Sequence, residues 1–117
     1  MKRRLAGLIL LCFCLLGLPN VVLAETAAPQ KVMIITVDNA VEPGLASYLE
    51  RNIAIAKENQ ADLLILELDT PGGRVDAAQE IKRLLYDSGM ETVALVKDQA
   101  LSAGAYIAMC CDKIAMM

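Results

Sequence analysis

Apolar residues follow two rhythms along this chain. "KVMIITV" (31–37) is a short, nearly unbroken apolar run rich in β-branched residues, and "DLLILEL" (62–68) and "TVALV" (92–96) repeat the pattern. Runs of that length predict buried strands. Between them the spacing lengthens. Leu45, Leu49, Ile53 and Ala56 recur at helical intervals, which predicts an amphipathic helix over 43–59. Val75, Ala78, Ile81 and Leu85 mark a second helix in "RVDAAQEIKRLLYDSG" (74–89), with Ser88-Gly89 as its stop. "SAGAYIAMCC" (102–111) is apolar almost all round, which predicts a short helix buried on most sides, and "KIAMM" (113–117) begins like a fourth strand.

The resulting order is β-α-β-α-β-α-β. Apolar strands alternating with helices predict an α/β fold with right-handed crossovers and a parallel sheet covered on both faces. In such sheets function gathers beyond the carboxyl ends of the strands. Two connections fall there, "DTPGGR" (69–74) and "KDQALSAG" (97–104). The chain stops at Met117 inside an apparent strand, so 31–117 is read as the N-terminal part of a larger domain.

Composition matters most at the amino end. "MKRR" is basic, "LAGLILLCFCLLGL" is apolar, and Val22 and Ala24 supply an A-x-A-like cleavage site. This is the order of a secretory signal peptide over 1–24, which leaves "ETAAPQ" (25–30) as a linker. The apolar stretch is short for a membrane-spanning helix. Lys2, Arg3 and Arg4 belong to that leader, so the remainder carries eight basic residues against all 14 acidic ones. An acidic chain lacks the basic footprint of a nucleic-acid binder. It has no GxGxxG or Walker sequence, which argues against a nucleotide. With no histidine and no CxxC there is no zinc ligand set. Cys110 and Cys111 are adjacent, a poor geometry for a mutual disulfide, and are read as small buried hydrophobes.

Two motifs can carry chemistry. In "TPGG", Pro71 fixes φ while Gly72 and Gly73 open conformations closed to other residues, so N–H groups can face outward at a helix start. That suits an oxyanion, and a tight turn explains the same residues without chemistry. Ser102 opens the last helix on the same sheet edge. An N-cap is its plain reading. The small residues "AGA" after it favour a nucleophile instead, with the N–H of Ala103 and of Gly72 or Gly73 receiving the oxyanion. The spacing is not a nucleophile elbow, because G-x-S-x-G would need glycine where Ala100 stands. Ser47 and Ser88 are weaker candidates. Asp69 and Asp76 flank the turn and are read as turn-forming and helix-starting residues.

A serine needs a base, and without histidine no Ser-His-Asp triad can form. A lysine serves if burial keeps its amine neutral. Lys57 and Lys82 fall on polar helix faces, Lys31 starts a strand at the wrong end, and Lys113 lies far from Ser102. Lys97 is the best placed, although a solvated surface lysine is the simpler reading.

Together, "DNAVEPGLASYLERNIAIAKENQADLLILELDTPGGRVDAAQEIKRLLYDS" and "ALSAGAYIAMCCDKIAMM" resemble the N-terminal protease domain of the membrane-bound NfeD-type serine proteases, a ClpP-class family often encoded beside a stomatin-like partner. The resemblance implies a ClpP/crotonase-like fold and a Ser–Lys dyad with no cofactor. It implies Ser102 as nucleophile and Gly72, Gly73 and Ala103 as oxyanion donors. It implies hydrophobic segments of membrane proteins as substrates, notably of a stomatin-like partner. A homo-oligomer is expected, on the extracytoplasmic or periplasmic face, anchored through segments beyond Met117. The family's lysine comes after the serine and has no counterpart before Met117, so these residues alone are expected to be inactive. Two alternatives stand beside this reading. One is a non-catalytic pseudoprotease that binds hydrophobic segments. The other is a crotonase-type acyl-thioester enzyme, disfavoured by the leader.

Overall fold

The computed structural model describes residues 31–117, so the signal peptide read over 1–24 and the linker 25–30 lie outside the described residues. Seven elements alternate: β1 (Val32–Val37), α1 (Pro43–Glu58), β2 (Leu63–Thr70), α2 (Val75–Ser88), β3 (Glu91–Ala100), α3 (Ala103–Met109) and β4 (Lys113–Met116). The predicted order holds. Pro43 sits in the first turn of α1, where its missing N–H costs nothing. Gly89 ends α2 in the left-handed conformation expected of a glycine stop.

The four strands pair in parallel in the order β1-β2-β3-β4. Every crossover therefore steps the same way, and right-handed crossovers that step one way put their helices on one face. The packing agrees, because α1 contacts α2 and α2 contacts α3. This corrects the expectation of a sheet covered on both faces. Covering both faces requires a reversal of strand order, and the described strands have none.

The core lies between sheet and helices. Ile35 and Val37 of β1, Leu64, Leu66 and Leu68 of β2, and Ala94 and Val96 of β3 turn inward. They meet Leu49 and Ile53 of α1, Ile81 and Leu85 of α2, and Ile107 of α3. Each buried large aliphatic side chain contributes roughly 1.5–3 kcal/mol. Alternate residues face the other way: Ile34 is 55% exposed, and Ile65, Val93 and Leu95 are half-buried. Helix α3 is also more one-sided than its composition suggests. Ala103, Gly104, Ile107 and Ala108 are buried, while Met109 is exposed and Cys110 and Cys111 are half-buried.

Two strands run further than their apolar runs predict. β2 continues through Asp69 to Thr70, and β3 continues through Lys97 to Ala100. After a register shift between Leu68 and Thr70, Thr70 pairs with Ala100. The parallel partner, not side-chain hydropathy, carries these polar residues into the sheet. The extension matters because it delivers "TPGG" and "LSAG" side by side.

Candidate active site

Three segments converge beyond the carboxyl end of β2: 38–41, 70–74 and 100–104. Backbone hydrogen bonds knit them. The Leu101 N–H donates to the Thr70 carbonyl at 3.0 Å, Val41 N–H to Gly72 O at 2.9 Å, and Arg74 N–H to Val41 O at 2.7 Å. The last two form an isolated parallel bridge between Val41 and Gly73.

Ser102 stands where β3 gives way to α3, with φ 49° and ψ −114°. Those are the angles of the first central residue of a type II′ turn, a place glycine usually fills. The Gly104 N–H closes the turn on the Leu101 carbonyl at 2.8 Å. A serine held there costs about 1–3 kcal/mol, and such strain concentrates at functional sites. The N-cap reading is corrected, because the Ser102 side chain makes no cap hydrogen bond and its backbone is not extended. The residue is exposed. The strained strand–turn–helix geometry of a nucleophile elbow is thus present without the first glycine of G-x-S-x-G. The second glycine of that motif is present as Gly104, where a Cβ would lie 2.5 Å from Thr70 Cγ2.

Gly72 and Gly73, paired in the sequence reading, have distinct surroundings. Gly72 has φ +95° and borders the serine turn: a Cβ on it would lie 2.6 Å from the Leu101 carbonyl oxygen and 3.2 Å from the Ala103 nitrogen. Its N–H donates to Thr70 Oγ1 at 3.2 Å. Gly73 packs its Cα on the Val41 backbone. Among the described residues, the N–H groups of Gly73 and Ala103 have no hydrogen-bond partner. The structure therefore brings all four candidate residues to one corner of the fold.

Beside Ser102 opens a pocket of about 260 Å³ lined by Val75, Ala78, Ser102, Ala103 and Tyr106. No lysine lines it. Each lysine described has a partner other than Ser102. Lys31 Nζ donates to Asn59 O and Lys57 Nζ to Asp87 O. Lys97 lies 3.7 Å from Glu67, and Lys113 pairs with Glu91 at the opposite end of the sheet. Lys82 stands over the rings of Tyr86 and Tyr106, 5.5 and 6.0 Å from their centroids. Asp76 opens α2 and takes two hydrogen bonds from the Arg74 guanidinium, at 3.0 and 2.6 Å. That bonding holds its carboxyl down at about 2, so it is a fixed anion and no base near neutrality. No group of three or more His, Cys, Asp or Glu among the described residues is placed to hold a metal ion.

Sequence reasoning missed Thr70 and Tyr106. Tyr106 reads as one more apolar residue of α3. Thr70 reads only as the residue before a proline, and the signal that could have found it is its place at the end of β2 against a glycine turn.

Fold and site together define a ClpP-like α/β domain with a strained serine set against a glycine turn. The chain belongs to the NfeD1b family, whose N-terminal domain matches residues 31–117. It is 45% identical over 107 residues to the membrane protein NfeD1b of Bacillus subtilis, covering 92% of this chain and 24% of that protein. It is 33% identical over 119 residues to the membrane-bound protease PH1510 of Pyrococcus horikoshii, covering 99% of this chain and 25% of that protein. The chain thus spans about a quarter of the length of these relatives. Among solved structures, it resembles the 1510-N membrane protease of P. horikoshii, specific for a stomatin homologue, with TM-score 0.69 and 34% identity over 76% of this chain and 46% of that one. A lysine-to-alanine variant of 1510-N, solved with a substrate peptide, matches with TM-score 0.69 and 33% identity, covering 76% of this chain and 42% of that one. A ClpP1 from Listeria monocytogenes shares the fold at TM-score 0.55 and 17% identity, covering 67% of this chain and 46% of that one. Among the described residues no helix is long and apolar enough to cross a membrane.

Proposed function

We propose that residues 31–117 are the nucleophile-bearing part of an exported, membrane-associated serine endopeptidase of the Ser–Lys type. Its substrates are hydrophobic segments of membrane proteins, a stomatin-like protein among them. The observation that carries this reading is Ser102: an exposed serine in a strained turn, facing a glycine turn and an apolar pocket. The stomatin homologue for which 1510-N is specific supports the partner class. The names of the relatives support association with a membrane.

The geometry supports a covalent route. Ser102 Oγ attacks a peptide carbonyl, and a neutral lysine amine takes its proton. The carbonyl oxygen becomes an oxyanion, received by the N–H groups of Ala103 and Gly73, which have no other partner among the described residues. Collapse breaks the C–N bond, and the lysine ammonium returns its proton to the leaving amine. Water then hydrolyses the acyl-serine by the same route. The lysine comes from outside the described residues. Residues 31–117 alone are therefore inactive as a peptidase.

The test is cleavage of a hydrophobic peptide by the longer protein that contains the lysine. Ser102→Ala is expected to abolish cleavage and leave peptide binding within a few-fold. Cleavage that survives Ser102→Ala would overturn the assignment.

A further inference from the structure

Thr70 is fully buried, yet each of its polar and apolar groups is turned toward the candidate site. Its Oγ1 donates to the Asn39 carbonyl at 2.6 Å and accepts from the Gly72 N–H at 3.2 Å. Its own carbonyl accepts from Leu101 N–H at 3.0 Å. Its Cγ2 methyl fills the space beside Gly104 that any larger residue would need. One side chain thus touches the three segments that meet at Ser102. A hydroxyl has one proton and two lone pairs, so donating to Asn39 leaves Oγ1 oriented to accept from Gly72.

The geometry points to Thr70 as a positioning residue for the oxyanion-binding amides, an inference that rests on the protease reading above. Gly72 has a conformation open to many alternatives, because glycine resists no backbone rotation. Nothing covalent fixes the Gly72–Gly73 amides against Ser102. The Thr70 hydroxyl supplies that restraint by anchoring the Gly72 N–H to the same atom that holds the 38–41 segment. Its methyl seats the start of α3 against the same strand. Donors that are already placed need no reorganisation when charge develops, and that is where an oxyanion site gains its effect.

The test uses the longer, lysine-containing protein with Thr70→Val, Thr70→Ser and Thr70→Ala. Valine keeps the shape and removes the hydroxyl. The Asn39 carbonyl it abandons belongs to an exposed residue and can turn to water. Thr70→Val is expected to lower kcat by about 10- to 100-fold with KM within about threefold. Serine and alanine both lack the methyl and differ only in the hydroxyl, so Thr70→Ser should exceed Thr70→Ala in kcat by a similar factor. That second pair decides the matter if the valine variant does not fold. Deuterium exchange of the 70–74 segment gives a readout independent of catalysis: it should quicken in Thr70→Val and stay slow in Thr70→Ser. Equal kcat in each pair, or unchanged exchange in a folded Thr70→Val, overturns the positioning role. Cleavage that survives Ser102→Ala strikes the protease reading instead, and the exchange measurement still decides what Thr70 does to the turn.

Discussion

Gly72 leaves no room for a side chain beside Ser102: a Cβ on Gly72 would lie 2.9 Å from the Ser102 Cβ. Leu101 and Ala103 cannot retreat easily, because the Leu101 N–H is bonded to the Thr70 carbonyl and Ala103 opens α3. Gly72 also holds φ +95°, which strains any L-residue. Gly72→Ala is therefore expected to push the two turns apart. In the longer protein it should cost at least about 100-fold in turnover, the scale of a lost oxyanion donor. It should also lower the unfolding midpoint. Wild-type turnover in a folded Gly72→Ala variant would show that the close approach has no catalytic role.

The left-handed backbone of Ser102 makes a separate prediction about stability. If the turn stores strain, glycine should relieve it, and alanine should not. Glycine also loses more freedom on folding, by roughly 0.5–1 kcal/mol. Ser102→Gly should thus equal or exceed Ser102→Ala in stability, by up to about 2 kcal/mol. Urea unfolding of the two variants side by side measures this. A clearly more stable alanine variant would mean the strain is absent.

Much of this arrangement was legible in the sequence, and the exceptions share a cause. The strands at 31–37, 62–68 and 92–96 and the first two helices follow from apolar spacing alone, and the third helix from a nearly unbroken apolar segment. Ser102 and the two glycines stood out because small residues at strand–helix junctions are informative wherever they occur. What stayed hidden depends on the partner strand. Asp69, Thr70, Lys97 and Asp98 are polar, and they lie within strands because β2 and β3 pair again at Thr70 and Ala100 after a register shift. Thr70 became visible as a clamp only once Asn39, Gly72 and Gly104 were placed around it. The one-sided helices were equally out of reach, because hydropathy reports that a strand is apolar but not how strands are ordered. The elbow-like turn at Ser102 escaped because its usual sequence mark has glycine where this chain has Ala100.

Arg74 and Asp76 offer a titration test at the entrance to α2. The guanidinium holds the Asp76 carboxyl at about 2, below its ordinary 3.8. A carboxyl lowered on folding stabilises the fold above its unfolded value, and that contribution fades as pH falls from near 4 toward 2. Both side chains are more than half exposed, so the effect on stability is small and salt-sensitive. The titration itself should be plain. Carboxyl NMR shifts should place Asp76 well below the ordinary 3.8, and Arg74→Gln should return it toward that value. An Asp76 midpoint that ignores Arg74 would mean the pair does not form in solution.

Cys110 and Cys111 are adjacent and differ in environment, which makes their reactivity a probe of how α3 is seated. Both are free thiols. Burial pushes the Cys111 thiol up to about 11, and its Sγ–H points to the Ile107 carbonyl at 3.7 Å. Burial also raises Cys110, but there the nearby Lys82 ammonium acts in the opposite direction. Only the thiolate reacts. At pH 8 the thiolate fraction of Cys111 should be roughly 100-fold below that of an ordinary thiol. Iodoacetamide should therefore modify Cys110 first and Cys111 slowly, with the rates converging in urea. Lys82→Met should slow Cys110 and leave Cys111 unchanged, because the ammonium acts on the nearer thiol. Peptide mass analysis over a time course resolves the two sites. Equal native rates would mean that α3 does not pack on the sheet as described, and with it the seat of Ser102 would have to be redrawn.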